Sequence, residues 1–424
     1  MKILLVHNSY QGPGGEDQVF ASELDLLASH GHEVVPFTAH NDTVKHLSKP
    51  SLALRTSWSR TTYQDLGAVL RRERPQIVHV HNTLPLLSPA VYYAAGAARV
   101  PVVQTLHNYR LVCPNALLLR EQRICEDCVG RPVAWPGIVH ACYRQSRGAT
   151  GAVAVMLSVH RMLGTWTRRV GRYIALTEFM RKKFIEGGFP ARKIVVKPNF
   201  VTPDPGAGHH RGRYALFVGR LSPEKGFRTL LRAWQHVGHR IPLRIAGEGP
   251  PEHIAHGSPP GIEWLGQRRR EEVLTLMKEA FVLVFPSEWY EGFPVTLAEA
   301  LATGLPIVAS RLGAMAEIVH DGQTGLLFVP GEATDLADKI EWALEHPDEV
   351  ARMGRRAREE FEAKYTPERN YQLLCEIYRG VLLPPWSADR GSVELTDEVP
   401  DTAVQRQAAI PVAPFSAPCY GCLH

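Results

Sequence analysis

Val282-Leu-Val-Phe-Pro-Ser-Glu-Trp-Tyr-Glu291-Gly-Phe-Pro-Val-Thr-Leu-Ala-Glu299-Ala-Leu-Ala-Thr303 is the stretch on which the fold turns. Its first four residues, Val282–Phe285, read as a buried strand. A polar loop follows, and Pro294 suits the first turn of a helix, where its missing N–H is not needed. Val295–Thr303 then reads as that helix. Strand, loop and helix in this order are the unit of a parallel sheet covered by helices. Working outward, the same unit recurs. Strands are expected at Ala215–Val218, Leu243–Ala246, Ile262–Leu265 and Ile307–Ala309, with helices at Gly226–Gln235, Arg270–Glu279 and Asp335–His346. An earlier series has strands at Lys2–Val6, Glu33–Phe37, Ile77–Val80, Val102–Leu106 and Tyr173–Leu176, and a helix at Asp17–Ser29 closed by His30-Gly31. Between the series runs Pro198–Gly208, rich in Pro and Gly as linkers are. The expectation is an α/β protein of two doubly wound Rossmann-like domains, 1–200 and 201–366, whose parallel sheets face a cleft. A helix over 367–382 follows, and then a disordered tail over 383–424.

The chain has 424 residues, enough for two or three domains, and near-average apolar and charged content. Met1–Val6 is too short for a signal peptide, and no apolar run approaches the ~20 residues that cross a bilayer, so a cytoplasmic protein is expected. Net charge is +5 but unevenly spread: residues 1–200 hold 25 Lys and Arg against 13 Asp and Glu. That excess, with Arg168-Arg169, Arg172 and Arg181-Lys182-Lys183, either faces an anionic membrane or acceptor or is solvated surface. A nucleic-acid partner is not expected, because aromatic residues are not interleaved with the cations and no binding module is recognised.

Ligands in open α/β sheets bind where strands end and loops enter helices, and several chemistry-bearing groups fall there. Gln11-Gly-Pro-Gly14-Gly15 lets amides approach an anion at a helix start, or forms only a tight turn; its spacing is not that of a dinucleotide fingerprint. Arg220 and Lys225 flank the loop Gly219-Arg-Leu-Ser-Pro-Glu-Lys-Gly226 and can neutralise a diphosphate, Arg through two contacts and Lys as a point charge. Glu291 lies at the mouth of a helix and Glu299 within it. Two carboxylates, which only accept hydrogen bonds, suit paired sugar hydroxyls. His107 in Gln104-Thr-Leu-His-Asn108 follows a strand and serves a site or the core; the same holds for His81, while His79 reads as structural.

Together these residues resemble the family 4 glycosyltransferases of GT-B fold over about residues 1–380. The resemblance rests on Glu291-x7-Glu299 preceded by G-R-L-S-P-E-K-G, on P-G-G-E-D-Q-V, G-H-E-V, T-L-H-N and K-P-N, and on Gly304–Ser310 and Gly313–Gly325. It implies a retaining transfer of a hexosyl-type group from a nucleotide-diphosphate sugar to a glycan or lipid-linked acceptor. Glu299 would take the ribose and Glu291 the sugar hydroxyls. Arg220 and Lys225 would hold the diphosphate, helped by amides of Gly292, Phe293 and Val295. Gly247 and Gly249 would border the base. Gly14 and Gly15 would face the donor phosphate or the acceptor, and His107 would lie beside the reacting sugar. No Asp-x-Asp occurs, so no divalent clamp and no catalytic cofactor is expected. Two other readings share the fold: a nucleotide-sugar 2-epimerase, or a non-catalytic sugar-nucleotide-binding subunit.

Seven cysteines are present, four of them in the long loop 108–147. The spacing Cys113-x11-Cys125-x2-Cys128-x13-Cys142 fits a structural zinc site, reduced thiols or disulfides. Cys419-x2-Cys422 in the tail has no context.

Overall fold

Runs such as Ile3–Val6, Ile77–Val80 and Val282–Phe285 are wholly buried, as strands covered on both faces must be. In the computed structural model, which describes residues 1–12, 14–249 and 261–383, the runs assemble into two six-stranded parallel sheets. The tail from 384 on, with Cys419 and Cys422, lies outside the described residues. In the first half the strands are β1 (Lys2–Ser9), β2 (Glu33–His40), β3 (Ile77–Val80), β4 (Val102–Leu106), the short hairpin pair β5 (Leu119–Arg120) and β6 (Arg123–Ile124), β7 (Arg172–Ala175) and β8 (Ile194–Val196). The first sheet has the order β2-β1-β3-β4-β7-β8. In the second half they are β9 (Ala215–Val218), β10 (Leu243–Ala246), β11 (Ile262–Gly266), β12 (Val282–Phe285), β13 (Ile307–Ser310) and β14 (Gly325–Phe328), ordered β11-β10-β9-β12-β13-β14. Both lobes are therefore doubly wound.

Two strands of the parallel sheets escape a sequence reading, as does the hairpin pair β5 and β6. β8 has only three residues, and β14 begins at Gly325, whose missing side chain reads as a break in a strand. β1 also runs past Val6, because His7 and Asn8 are buried with partners: His7 Nε2 lies 2.8 Å from Asp17, and Asn8 Nδ2 donates to Asn41 Oδ1 at 2.8 Å.

The helix Pro367–Leu382 packs under the first sheet. Leu374 and Tyr378 are fully buried with Ile3, Leu5, Leu27, Ile77, Val103 and Ile174. The main apolar cluster runs continuously from the first sheet (Leu4, Val80, Leu106) into the second lobe (Leu216, Phe293, Leu297). The segment of linker composition is pinned rather than loose. Val201 donates to Tyr365 O at 3.0 Å, Thr202 O accepts from Arg270 at 2.8 Å, and Asp204 pairs with Arg358 at 2.7 Å.

Candidate active site

In each sheet the chain reverses direction of growth between two neighbouring strands, and loops leaving such a pair diverge to open a crevice. In the second sheet that pair is β9 and β12. The loop after β9 carries Arg220 and Lys225, and the loop after β12 carries Glu291, so residues some 70 apart in sequence meet. Lys225 Nζ lies 2.6 Å from Glu291 Oε1. The same oxygen accepts from Ser287 Oγ at 2.7 Å and from Trp289 Nε1 at 2.9 Å. Lys225 also stands over the Phe285 and Trp289 rings, at 5.5 and 5.7 Å. Glu291 is 6% exposed and fully hydrogen-bonded through one oxygen.

These two loops and the loop after β10 are stitched together. Glu288 N–H donates to Glu224 O at 2.9 Å, and Leu221 N–H donates to Glu248 O at 2.8 Å. Gly247, next to Glu248, has no room for a side chain: a Cβ there would meet Gly219 O at 1.8 Å. Gly249 continues that loop beside Leu221. Arg220 is placed differently from Lys225. Its side chain is 67% exposed at the rim, 3.3 Å from Glu224.

Gly292 brings the second lobe against the first. A Cβ at Gly292 would lie 2.6 Å from the His107 carbonyl oxygen, so only glycine permits this approach. Tyr109 Oη donates to Glu291 O at 3.4 Å across the same seam. Phe293 is buried against Tyr365, and Val295 opens the helix Val295–Thr303, whose first amides lack intrahelical acceptors. Glu299, one turn further in, is 8% exposed and holds Arg270 Nε at 2.7 Å on Oε1. Burial raises its carboxyl above the ordinary range, and Arg270 opposes this.

On the other side of this seam, His107 follows β4. Its Nε2 is 2.9 Å from His81 Nδ1. One of these nitrogens must donate and the other accept, so the facing pair cannot both carry a proton. Burial and the neighbouring His81 hold His107 well below the usual histidine range, and burial and His79 bring His81 to about 4. Both rings are neutral near pH 7. Behind them His79 is a core residue, bonded to Tyr378 Oη and Thr105 Oγ1, each at 2.8 Å. Glu23 and Lys197 pair at 3.3 Å with almost no exposure. Burial alone would raise Glu23, but Lys197 and His79 keep its carboxyl well below the ordinary range.

The glycine loop after β1 is less open than its composition promises. Gly14 N–H already donates to Asp17 Oδ2 at 2.9 Å, and Gly15 begins the helix Gly15–Ser29. Glu16 stands at that mouth. Its Oε2 accepts from Tyr10 Oη at 3.0 Å and Asn108 Nδ2 at 3.4 Å, while Oε1 is shut off from water without a partner. Burial pushes this carboxyl up to about 8.

Tyr10, Asn108 and Arg110 line a cavity of 550 Å³, walled on its far side by the helices Lys49–Ser57 and Arg147–Met162. The four cysteines of the 108–147 segment, all free thiols, line a separate small cavity. Sequence reasoning passed over Glu16, Ser287, Trp289 and Arg270. Ser287 and Trp289 lay within the motif, and their spacing from Glu291 was a usable signal. Arg270 reaches Glu299 only through the fold.

Comparison with known proteins agrees with this architecture. A family model described as glycosyl transferases group 1 matches residues 206–360, and one described as glycosyltransferase family 4 matches 13–205. D-rhamnosyltransferase WbpZ of Pseudomonas aeruginosa is 31% identical over 161 residues, covering 36% of this chain and 42% of that protein. Spore coat protein SA of Bacillus subtilis is 24% identical over 388 residues, covering 86% of this chain and 94% of that one. The chain thus spans less than half the length of the first curated relatives it matches, between 41% and 47%. The solved structure of Anabaena HepE in complex with UDP and glucose superposes with a TM-score of 0.64 at 18% identity, over 89% of this chain and 98% of that one. With both halves matched and both lobes doubly wound, the chain belongs to the group 1, family 4 glycosyltransferases, of GT-B fold.

Proposed function

We propose that this protein transfers a hexosyl-type group from a nucleotide-diphosphate sugar to a lipid-linked glycan acceptor, with retention of configuration and without a divalent metal. The observation that carries the reading is the Lys225–Glu291 ion pair, with Gly292, the residue after Glu291, packed against the His107 carbonyl. In the proposed complex Lys225 turns to the diphosphate. Glu291 is not stranded by this, because Ser287 and Trp289 still satisfy its oxygen. Arg220, exposed at the rim, closes on the phosphates as the donor enters. As the sugar becomes oxocarbenium-like, charge gathers on the leaving diphosphate, and fixed cations there lower the barrier most directly. Glu299 keeps Arg270 on one oxygen and offers the other to the ribose. His107, uncharged and with Nε2 engaged, presents Nδ1 to the sugar without competing for the phosphate.

The acceptor side is the 550 Å³ cavity, where Leu52, Ala53 and Val153 supply apolar surface and Lys49, Arg110 and Arg144 supply positive charge. That mixture suits an anionic group on an apolar tail. Beside it, three neighbouring helices expose apolar side chains: Leu54 at 72%, Trp135 at 53%, and Val155 and Met162 at 55% and 79%. We take these side chains together as one interaction surface, here proposed to rest on the membrane holding the acceptor.

The donor assignment is tested by thermal shift with UDP-, GDP- and ADP-sugars. One of them should raise the melting temperature of the parent, and Glu299→Ala should lose most of that rise. An undiminished response in Glu299→Ala would overturn the ribose contact; no response from the parent to any donor would overturn the transferase reading.

A further inference from the structure

The segment between His107 and the helix Arg147–Met162 contains four cysteines and little regular structure. A two-by-two-residue hairpin, β5 and β6, delivers Cys125; a turn brings Cys128; and the short helix Trp135–Val139 leads to Cys142. Together with Cys113, all four line one cavity, with Arg120 and Asp127 at its edge. The cavity measures about 10 Å³, room for a single water-sized body. The thiols are all unpaired.

We infer that Cys113, Cys125, Cys128 and Cys142 form a structural zinc site that shapes the wall of the acceptor cavity. Zinc takes four thiolates at about 2.3 Å in structural sites and fills a hole of this size. Among the described residues no three of the sulfurs come within 4.8 Å of one another, so the ring would draw in around the ion. Each thiol releases its proton to water on binding, and the doubly negative centre has Arg120 beside it. The competing set, Glu23, His79 and His81, does converge within 4.8 Å, but Lys197 already supplies the cation there.

The consequence lies at the two ends of the clamped segment. Asn108 and Arg110 precede Cys113, Tyr143 and Arg144 follow Cys142, and all four residues line the acceptor cavity. Arg110 stacks on Tyr143 at 4.7 Å and donates to Pro114 O, so the ends already touch. Closing a loop of about 30 residues holds both ends in place at a chain-entropy cost met by the metal.

The test is metal analysis of the purified full-length chain, independent of any transferase assay. One zinc per chain is expected, and replacement by cobalt should give the absorption of a tetrahedral thiolate complex. Cys128→Ser should lose most of the metal. Cys375→Ser and the double variant Cys419→Ser/Cys422→Ser should retain it, which places the site in the 108–147 segment. If Cys128→Ser fails to fold, the cobalt spectrum of the parent still decides. A metal-free parent with four reactive thiols, a parent lighter by the hydrogens of disulfides, or zinc lost with the tail cysteines would each overturn the proposal.

Discussion

Glu16 shows how one side chain can be placed against its own ionisation. Its Oε1 is shut away from water and its carboxyl is raised from 4.5 to about 8 by burial. The folded state therefore binds this proton more tightly than the unfolded state. The stabilisation it gives is full below pH 4.5 and is lost as pH rises through 8. Glu16→Gln should leave stability at pH 4 unchanged and make the protein more stable than the parent by pH 8.5, the gap opening between those limits. Melting temperatures across that range would show it, and parallel curves would contradict it. Glu291 contrasts with Glu16, because three donors converge on one of its oxygens.

At the scale of elements, the helix Pro367–Leu382 is the clearest case of packing overriding sequence distance. It follows the second lobe in the chain but buries Leu374 and Tyr378 under the first sheet. Tyr378 also fixes His79, two residues before the His81 that pairs with His107. Leu374→Ala should cost about 2–5 kcal/mol, because the removed methyl groups leave a cavity that the sheet cannot collapse into. Urea unfolding would register this as a lower midpoint. A cost below about 1 kcal/mol would mean that the helix contributes little to the first lobe. A helix over 367–382 was already expected from the sequence. β14 was not, because glycine at its start hides a strand whose pairing with β13 demands the absence of a side chain: a Cβ at Gly325 would lie 2.1 Å from Ile307 O.

Over the whole molecule, the basic excess of the first half resolves into two populations. Several of the clustered cations are spent internally: Arg169 lies over Tyr93 at 3.9 Å, Lys183 pairs with Glu126 and Glu186, and Arg181 donates to Ile194 O at 3.2 Å. Membrane docking, as proposed, then rests on the apolar patch with the cations around it. Cosedimentation with anionic vesicles should be strong for the parent and at least several-fold weaker for Val155→Glu/Met162→Glu, since a charge costs more to bury at an interface than a methyl group gains. Equal binding would remove that face from the docking reading. No described helix is long and apolar enough to cross a membrane. Local sequence sufficed for the repeating strand–loop–helix units, and for the loops that carry Arg220, Lys225, Glu291 and His107, because strand burial and helix starts are set by neighbours a few residues away. What only tertiary structure decided was which of those groups meet. Lys225 with Glu291, Arg270 with Glu299 and Gly292 against His107 are contacts between segments well separated in the chain. Strand order and the packing of two lobes place them there, and neither is written in any local stretch of residues.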